Sequence, residues 1–544
     1  MNDTKNEKLY SIFSKIIVGF WTALISFVVI LLLFVGKSFE YINKFEFALS
    51  NILLFIISFF AVSSLAVVYY LKREKINSLF RRIPKRTVVI MSVFLFAVQA
   101  YVFYNIFFWT GWDVWLLVDI SNQVASGATE IEVFNDYFCK YPNNLLLTWI
   151  LSGIFKINSA FGISGLYPQL YVVVLLQSAL SCIAGYMLFS LVKDSVKNPA
   201  APYLVWLVFV FNVALNPWLT VTYSDAITLC MPIAVLRLYQ LTSNGRFLYL
   251  KWAAIGFITY FGYKIKPQVL IVMIAIIIVQ LMRLVFKKEF FFEKATRVKN
   301  AVSAASCVTA VLACALFTNA VMYSLPVETD DEAAFGISHF FMMGLNTETD
   351  GMFNQDDVYF SESFKTAEER SENNWRVAKE RLSEMGLGGA FKHFVTKCFV
   401  NYGDGTFAWG NEGNFYYSVP EEPNSFSAPL LRSLYYKYTG EHYQVFATLE
   451  QFLWITVLIG CIGVFLHFRG REKSDASVLV AALSLLGITL FQTIFEARAR
   501  YLFNYAPFFI FVSAIGWIEI VKLCAPKTKM LFRMITKNKG AEEK

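Results

Sequence analysis

The sequence is poor in charged residues. Asp, Glu, Lys and Arg account for 16% of its 544 residues, whereas soluble domains carry about 25%. The hydrophobic fraction is high, at 57%. This balance excludes an ordinary soluble enzyme and predicts a protein that faces lipid. The formal net charge of +8 does not indicate a nucleic-acid partner, because the basic residues cluster beside long apolar runs.

Histidine and cysteine are also scarce. The chain has four His and eight Cys, with no Cys-x-x-Cys pair and no Cys/His cluster. Most of the cysteines lie inside apolar runs, and only Cys139 and Cys398 fall in polar stretches. A zinc site or a disulfide framework is therefore not expected, and no metal ligands are predicted.

Long apolar segments are abundant, and a membrane-spanning helix needs roughly 20 such residues. Twelve segments are predicted to span: 12–35, 46–71, 88–109, 167–192, 201–218, 225–241, 248–263, 267–286, 301–325, 446–467, 476–495 and 503–522. The first is too long for the apolar part of a cleavable signal peptide, so none is expected. The predicted fold is an all-α polytopic membrane protein of about 12 transmembrane helices, with an extracytoplasmic domain of α/β or mixed structure.

Basic residues predict the orientation, since cytoplasmic loops are enriched in Lys and Arg. The loop 72–87 carries seven of them and is predicted to be cytoplasmic. The apolar stretch 145–157 is too short to span, and we interpret it as a re-entrant or interfacial helix. With that interpretation every basic cluster and both termini face the cytoplasm, while 111–144 and 325–445 lie outside.

This topology divides the chain into four regions. They are a two-helix membrane addition (1–87), a transmembrane core with its first outer loop at 110–166 (88–325), a hydrophilic extracytoplasmic domain (326–445), and the C-terminal transmembrane helices with a cytoplasmic tail (446–544). The multi-pass chain is expected in the cell membrane, with its active site on the extracytoplasmic face.

Charge at the edge of a membrane is costly and usually functional, and the first outer loop carries the first candidate group. Asp113 follows the third predicted span, and Asp136, Tyr141 and Asn143 lie further along the same loop. A carboxylate in this position can act as general base on an acceptor hydroxyl. The alternative is a solvated aspartate among interfacial tryptophans.

Two further groups lie at predicted outer ends of helix pairs. Tyr223 and Asp225 open a helix, where either Ser224 or Asp225 could serve as an N-cap instead. Lys264 and Lys266 violate the preference for cytoplasmic cations. A phosphate at the outer surface would explain them, and snorkelling of their side chains is the alternative.

The fourth group is a run of polar residues after the eleventh predicted span: Glu496, Arg498, Arg500 and Tyr501. Guanidinium groups bind phosphate oxygens bidentately, and the alternative is an ion pair between arginine and Glu496. Sugar transfer from a lipid phosphate needs a base for the acceptor and cations that stabilise the leaving phosphate. Two aspartates and four cations on one face would supply both.

In order, spacing and topology these motifs resemble the GT-C superfamily of polyprenyl-phosphate-dependent glycosyltransferases. The chain is most similar to glycosyltransferase family 39 and the aminoarabinose transferases. Asp113 resembles the acidic position of the first outer loop, and Asp225 resembles the second acidic position. The Tyr-Pro stretch at 141–145, the Lys-Pro stretch at 264–267 and the Arg-x-Arg-Tyr motif at 498–501 also match. Val114 departs from the pattern, because the family carries Glu at that position.

The resemblance implies inversion at the anomeric carbon of a sugar carried on undecaprenyl or dolichyl phosphate. The implied acceptor is a hydroxyl on a surface polysaccharide, teichoic acid, lipid or protein, and a separate synthase and flippase would supply the donor. Asp113 and Asp225 are the implied catalytic residues. They could bind a divalent cation only if the fold brings them together.

Two other functions fit the same composition. A transporter or flippase of lipid-linked glycans would also be polytopic, although no internal symmetry is evident and the polar groups lie at one face. An O-antigen-like polymerase or ligase would also use outer-face arginines, with a pyrophosphate-linked donor. The glycosyltransferase hypothesis predicts that Asp113→Asn abolishes transfer while folding and membrane insertion stay intact. Movement of substrate across proteoliposomes without covalent transfer would favour a transporter, and a pyrophosphate-linked donor would favour a polymerase or ligase.

Overall fold

The fold was analysed on a computed structural model, which describes residues 2–34, 47–84, 86–286, 294–413, 416–420, 425–469 and 475–523. The predicted cytoplasmic tail after 523 lies outside the described residues. Almost all regular structure in the described part is helical. The chain is therefore an all-α polytopic membrane protein, as its composition predicts.

Within the described residues, nine helices are long and apolar enough to cross a membrane. They are Glu7–Phe34, Asn51–Leu71, Thr87–Ile106, Leu166–Ser195, Pro267–Phe286, Thr296–Met322, Tyr443–Arg469, Ala476–Ile494 and Ala499–Leu523. Each coincides with a predicted span. Many apolar side chains on the first three are exposed, as expected for helices that face lipid.

The other three predicted spans are helical but are not among those nine. The segment predicted at 201–218 is an α-helix, Ala201–Phe209, that ends in a π-helical turn, Val210–Ala214, and Pro217 then opens a 3₁₀ turn. The segment predicted at 225–241 is divided into Ser224–Thr228 and Cys230–Gln240. Pro232 has no N–H to donate to the Thr228 carbonyl, which accounts for the break.

The third of these segments is the helix Arg246–Ile265, which has the length of a span. It contains Arg246, Lys251 and Lys264 together with several aromatic residues and glycines, so it is less apolar than the nine. The count of about 12 spans therefore separates into nine long apolar helices and three interrupted or more polar ones, all in the described residues.

The first loop contains the helices Trp112–Ala125, Tyr137–Lys140 and Leu145–Ala160, with 3₁₀ turns at Phe134–Asp136 and Pro142–Asn144. Leu145–Ala160 has 16 residues, fewer than a span needs. It packs along Trp112–Ala125, and Ser121 donates a hydrogen bond to the Thr148 carbonyl (3.2 Å). This short helix is the one that sequence analysis interprets as re-entrant or interfacial.

The predicted 326–445 domain is mainly helical. Its helices are Ile337–Gly344, Gln355–Glu362, Ala367–Tyr402, which bends at Gly386, and Ala428–Tyr435, with a π-helical turn at Trp409–Gly413. The β structure of the described residues is small: the strand Tyr416–Ser418 pairs antiparallel with Trp109–Thr110, and Ile131 forms a bridge to Val327. The sequence predicts an α/β or mixed domain here, but the β structure of its described residues is limited to this short strand and the bridge.

Two buried tryptophans fix this segment into the membrane core. The Trp454 indole donates to the Tyr402 carbonyl (2.9 Å), and the Trp218 indole donates to the Phe407 carbonyl (3.0 Å). Both rings are almost inaccessible. The first loop is joined to the same segment by the ion pair of Lys140 with Glu362 (2.8 Å). The Trp112 indole also donates to the Glu412 carbonyl (3.2 Å), and this bond holds the turn at Trp409–Gly413 against the start of the helix that carries Asp113.

Candidate functional site

Asp113 lies in the first turn of Trp112–Ala125, where a carboxylate is favoured by the helix dipole. The preceding Trp112 has φ of +40°, a backbone conformation that costs free energy for a bulky residue. Such strain persists only where the surroundings enforce it, and it is concentrated at functional sites. Gly111 and the short strand before it provide the sharp entry into this helix.

Hydroxyl groups surround the Asp113 carboxylate. Tyr223 donates a hydrogen bond to its Oδ2 (3.2 Å), and Tyr137 bonds it from within the first loop. Burial raises the pKa of Asp113, and the nearby Arg500 guanidinium and the two tyrosines only partly offset this effect. Asp113 is thus a carboxylate with raised basicity and without an ion pair to neutralise it in the described structure.

Asp225, by contrast, is locked in an ion pair with Lys266. The Lys266 Nζ lies 2.5 Å from Asp225 Oδ1, and both side chains are nearly inaccessible. Lys266 follows the C-terminus of Arg246–Ile265, where a cation is favoured. Burial lowers the pKa of Lys266, and Asp225 opposes that shift. The second oxygen, Oδ2, is buried without a hydrogen-bond partner among the described residues.

The turn after Ala476–Ile494 supplies the two arginines. Arg498 donates from Nε to Glu496 Oε1 (2.6 Å) and from Nη1 to Glu412 Oε2 (3.0 Å). Tyr501 donates to the other oxygen of Glu496 (2.9 Å). Burial alone would raise the pKa of Glu496, but Arg498 and Arg500 hold it below its ordinary value. Glu496 is therefore a charged residue that fixes Arg498 and Tyr501.

Arg500 is bound differently from Arg498. Its guanidinium carbon lies 4.7 Å from the ring centre of Trp112 and 5.5 Å from those of Tyr223 and Tyr501, distances typical of cation–π contacts. Its Nε lies 3.4 Å from Glu412 Oε2 but makes no hydrogen bond within the described structure. Arg500 is thus a buried cation with unused hydrogen-bonding capacity.

The structure brings most of the predicted site residues together. We call the following eight residues the polar cluster: Asp113, Tyr223, Asp225, Lys266, Glu496, Arg498, Arg500 and Tyr501. They come from four separate parts of the sequence. Tyr141 lies at its margin, with its ring 5.1 Å from that of Tyr137.

Three predicted residues lie apart from the polar cluster in the described structure. Asp136 is exposed in a left-handed turn, and Asn143 is exposed and bonds its neighbour Asn144 (3.4 Å). Lys264 is half-buried, two residues before Lys266, and forms no ion pair within the described part of the chain. Lys266 alone of the two lysines therefore belongs to the cluster.

Sequence analysis missed three residues that complete the site: Trp112, Tyr137 and Glu412. Trp112 and Tyr137 stand next to predicted residues and required only the local helix geometry. Glu412 has no such signal, because it lies about 300 residues from Trp112, whose indole donates to its carbonyl oxygen (3.2 Å). The only indication was an aromatic, glycine-rich stretch at 405–413 within a charged segment.

The carboxylates of the polar cluster mainly form ion pairs with cations or accept hydrogen bonds from hydroxyl groups. Within the described residues, no group of three or more His, Cys, Asp or Glu side chains could hold a metal ion. The arrangement instead juxtaposes one basic carboxylate, Asp113, with cations suited to an anionic ligand.

A comparison with protein families supports the membrane assignment. A family model described as "Conserved hypothetical integral membrane protein" matches residues 5–521. No curated protein matches the chain. The matched range includes every residue of the polar cluster and all the long apolar helices, apart from the last two residues of Ala499–Leu523.

Proposed function

The chain belongs to the conserved hypothetical integral membrane protein family, and from that premise we propose that it is a membrane glycosyltransferase. The proposed reaction transfers a sugar from a polyprenyl-phosphate donor to a hydroxyl on an extracytoplasmic acceptor, such as a surface polysaccharide or teichoic acid. The observation that carries the proposal is the convergence of Asp113 with Arg500, Arg498 and Lys266 at the ends of apolar helices.

In the proposed reaction, the acceptor oxygen attacks the anomeric carbon as the bond from that carbon to the phosphate oxygen breaks. Asp113 takes the acceptor proton, and polyprenyl phosphate leaves with the bonding electron pair. Asp113 suits the role because burial raises its pKa, which makes its carboxylate a stronger base. Tyr223 and Tyr137 orient its oxygens.

Arg500 is the cation best suited to the donor phosphate. Arg498 already donates to two carboxylates, and Lys266 is paired with Asp225. Arg500 is instead held by three aromatic rings, which leave the edge of its guanidinium available for phosphate oxygens. Preorganised cations of this kind stabilise the charge that develops on a leaving group.

The assay that tests this proposal follows polyprenyl phosphate, the product common to every sugar and acceptor. The purified protein, in lipid nanodiscs with membrane extract as the acceptor source, is given undecaprenyl-phosphate sugars, and release of undecaprenyl phosphate is measured by mass spectrometry. We expect Asp113→Asn to reduce release by a factor of about 10² or more, the usual contribution of a general base.

Asp136→Asn is the matched control, because it makes the same chemical change at an exposed turn where Asn is well tolerated. It should retain full activity. Equal activity of the Asp113→Asn and wild-type proteins would remove Asp113 from the mechanism. Release of a polyprenyl pyrophosphate would assign the chain to the polymerase or ligase class instead.

A further inference from the structure

Glu412 lies in the site but has no role in the proposed reaction. Its Oε2 atom receives Arg498 Nη1 at 3.0 Å and lies 3.4 Å from Arg500 Nε. Two guanidinium groups thus converge on a single carboxylate oxygen. The N–H groups of a guanidinium bind carboxylate and phosphate oxygens alike.

The charges of the site show why this contact matters. Four carboxylates (Asp113, Asp225, Glu412 and Glu496) lie among three cations (Lys266, Arg498 and Arg500) in the described structure. Binding of the donor's phosphodiester, or of the phosphate monoester that leaves after transfer, would bring in at least one more negative charge. Excess buried charge is strongly unfavourable, so binding of phosphate favours departure of one carboxylate.

Glu412 is the carboxylate that can leave at least cost. Asp225 is held by Lys266, and Glu496 is held by both Arg498 and Tyr501. The carboxylate of Glu412 contacts only the two arginines in the described part of the chain, and its side chain is 16% exposed.

The backbone before Glu412 is strained. Phe407 and Ala408 have φ of +56° and +60°, a left-handed region that is unfavourable for L-residues. They precede the π-helical turn Trp409–Gly413 that carries Glu412. Strain of this kind is concentrated at ligand clamps and switch regions, so this turn is a suitable place for a residue that exchanges partners.

We propose that the Glu412 carboxylate occupies the anion position of the site and that the phosphate of a lipid monophosphate displaces it from Arg498 and Arg500. This inference rests on the proposed function for the identity of the lipid. Glu412 is then a residue that sets donor affinity, because each binding event must break its ion pairs.

The test measures affinity rather than turnover. Undecaprenyl phosphate is titrated into the full-length protein in nanodiscs, and the bound fraction is measured by native mass spectrometry. We expect Glu412→Gln to bind about tenfold more tightly than wild type, because the ligand no longer displaces a charged partner. Glu412→Asp keeps the charge and should show no such gain.

Two further variants control for indirect effects. Glu441→Gln removes a charge from an exposed position of the same segment and should bind as wild type does. The double variant Glu412→Gln/Arg500→Gln should lose the gain in affinity, because the cation that receives the phosphate is absent. Size-exclusion profiles of all variants check that each remains folded.

The outcomes separate this inference from the proposed function. If wild type binds undecaprenyl phosphate and Glu412→Gln binds it equally or more weakly, the displacement is wrong and the donor site stands. If neither protein binds the lipid, both the donor site and the displacement are overturned. If inorganic phosphate competes as strongly as the lipid, the ligand is free phosphate, and the assignment to a lipid headgroup is wrong.

Discussion

At the scale of single residues, the two aspartates that the sequence offers as one catalytic pair have different surroundings. Asp225 shares a buried ion pair with Lys266 (2.5 Å). Asp113 is bonded by tyrosine hydroxyls and has a raised pKa. A proton acceptor needs a free carboxylate, so Asp113 is suited to that role, while Asp225 is suited to holding Lys266 beneath the Tyr501 ring (4.8 Å).

The Asp225–Lys266 pair leads to a prediction about stability. Removing one partner leaves a buried charge uncompensated, at a cost of about 3–5 kcal/mol. Asp225→Asn and Lys266→Met should therefore each lower the free energy of unfolding by about this amount. The double variant should be less destabilised than either single variant, because it removes both charges.

Thermal unfolding in detergent measures this coupling, and binding of undecaprenyl phosphate to the double variant shows whether the pair also contributes to the ligand site. The exposed pair of Arg376 with Glu380 (2.8 Å) is the control, since surface pairs contribute about 0–1 kcal/mol. Additive losses in the double variant at 225 and 266 would contradict a direct interaction.

At the scale of helices and turns, sequence patterns predict the parts that are uniform and miss those that are interrupted. Long apolar runs predict nine helices that the structure has, because one apolar side chain after another gives an unambiguous signal. The break at Thr228–Cys230 depends on the missing N–H of Pro232. The π-helical turn at 409–413 depends on tertiary contacts such as the Trp112 bond to Glu412.

Lys397, in the helix Ala367–Tyr402, contacts the C-terminal ends of two other helices near the site. Its ammonium donates to the carbonyls of Gly344 (2.8 Å), Thr493 (2.9 Å) and Phe495 (2.6 Å). These carbonyls lie at or just after the C-terminal ends of two helices, where a cation is favoured. Since Glu496 and Arg498 follow immediately, Lys397 positions the turn that carries the arginines.

Lys397 also predicts how stability depends on pH. Burial lowers its pKa from the ordinary 10.5 to about 7. The cost of burying the ammonium is therefore present in full below pH 7 and is relieved as the pH rises toward 10.5, because the folded state releases its proton first. For this group, the free energy of unfolding should rise with pH in that window, by up to about 1.4 kcal/mol per unit.

Thermal unfolding of wild type and Lys397→Met at pH 7.5 and 9.5 checks this dependence. The free energy of unfolding should rise less with pH in the variant, because the variant lacks the titrating amine. The variant should also be less stable overall, because three carbonyls lose their hydrogen-bond donor. Lys392→Met, at an exposed position on the same helix, should keep the wild-type slope. Identical slopes in wild type and Lys397→Met would show that Lys397 does not titrate in this range.

At the scale of the whole molecule, the site depends on contacts between distant parts of the chain. The polar cluster joins the first loop, two helix junctions and the turn after Ala476–Ile494, and Glu412 adds the 326–445 segment. Sequence order predicts that most of these groups share one end of the helices, because each lies at the end of a span. It could not distinguish Lys266 from Lys264, or Asp113 from Asp136, because only packing decides which side chain points inward.

The last prediction is that the polar cluster lies on the outer face of the membrane. Two exposed serines allow a test. Ser78 lies in the basic loop between two spans, and Ser363 lies in the 326–445 segment. The positive-inside rule assigns the first to the cytoplasm, and the parity of the spans then places the second outside. The described native cysteines are buried or half-buried, so the unmodified chain should label weakly and serves as the baseline.

In intact cells, a membrane-impermeant maleimide should label Ser363→Cys strongly and Ser78→Cys only after permeabilisation. This pattern follows from the same parity that makes 145–160 a non-spanning helix, since one additional crossing would reverse every later loop. Ser363 is joined to the site through Glu362, which binds Lys140 of the first loop (2.8 Å), so its side of the membrane is also that of Asp113. Labelling of Ser78→Cys from outside would place the polar cluster in the cytoplasm, where a sugar donor would not need to be flipped before transfer.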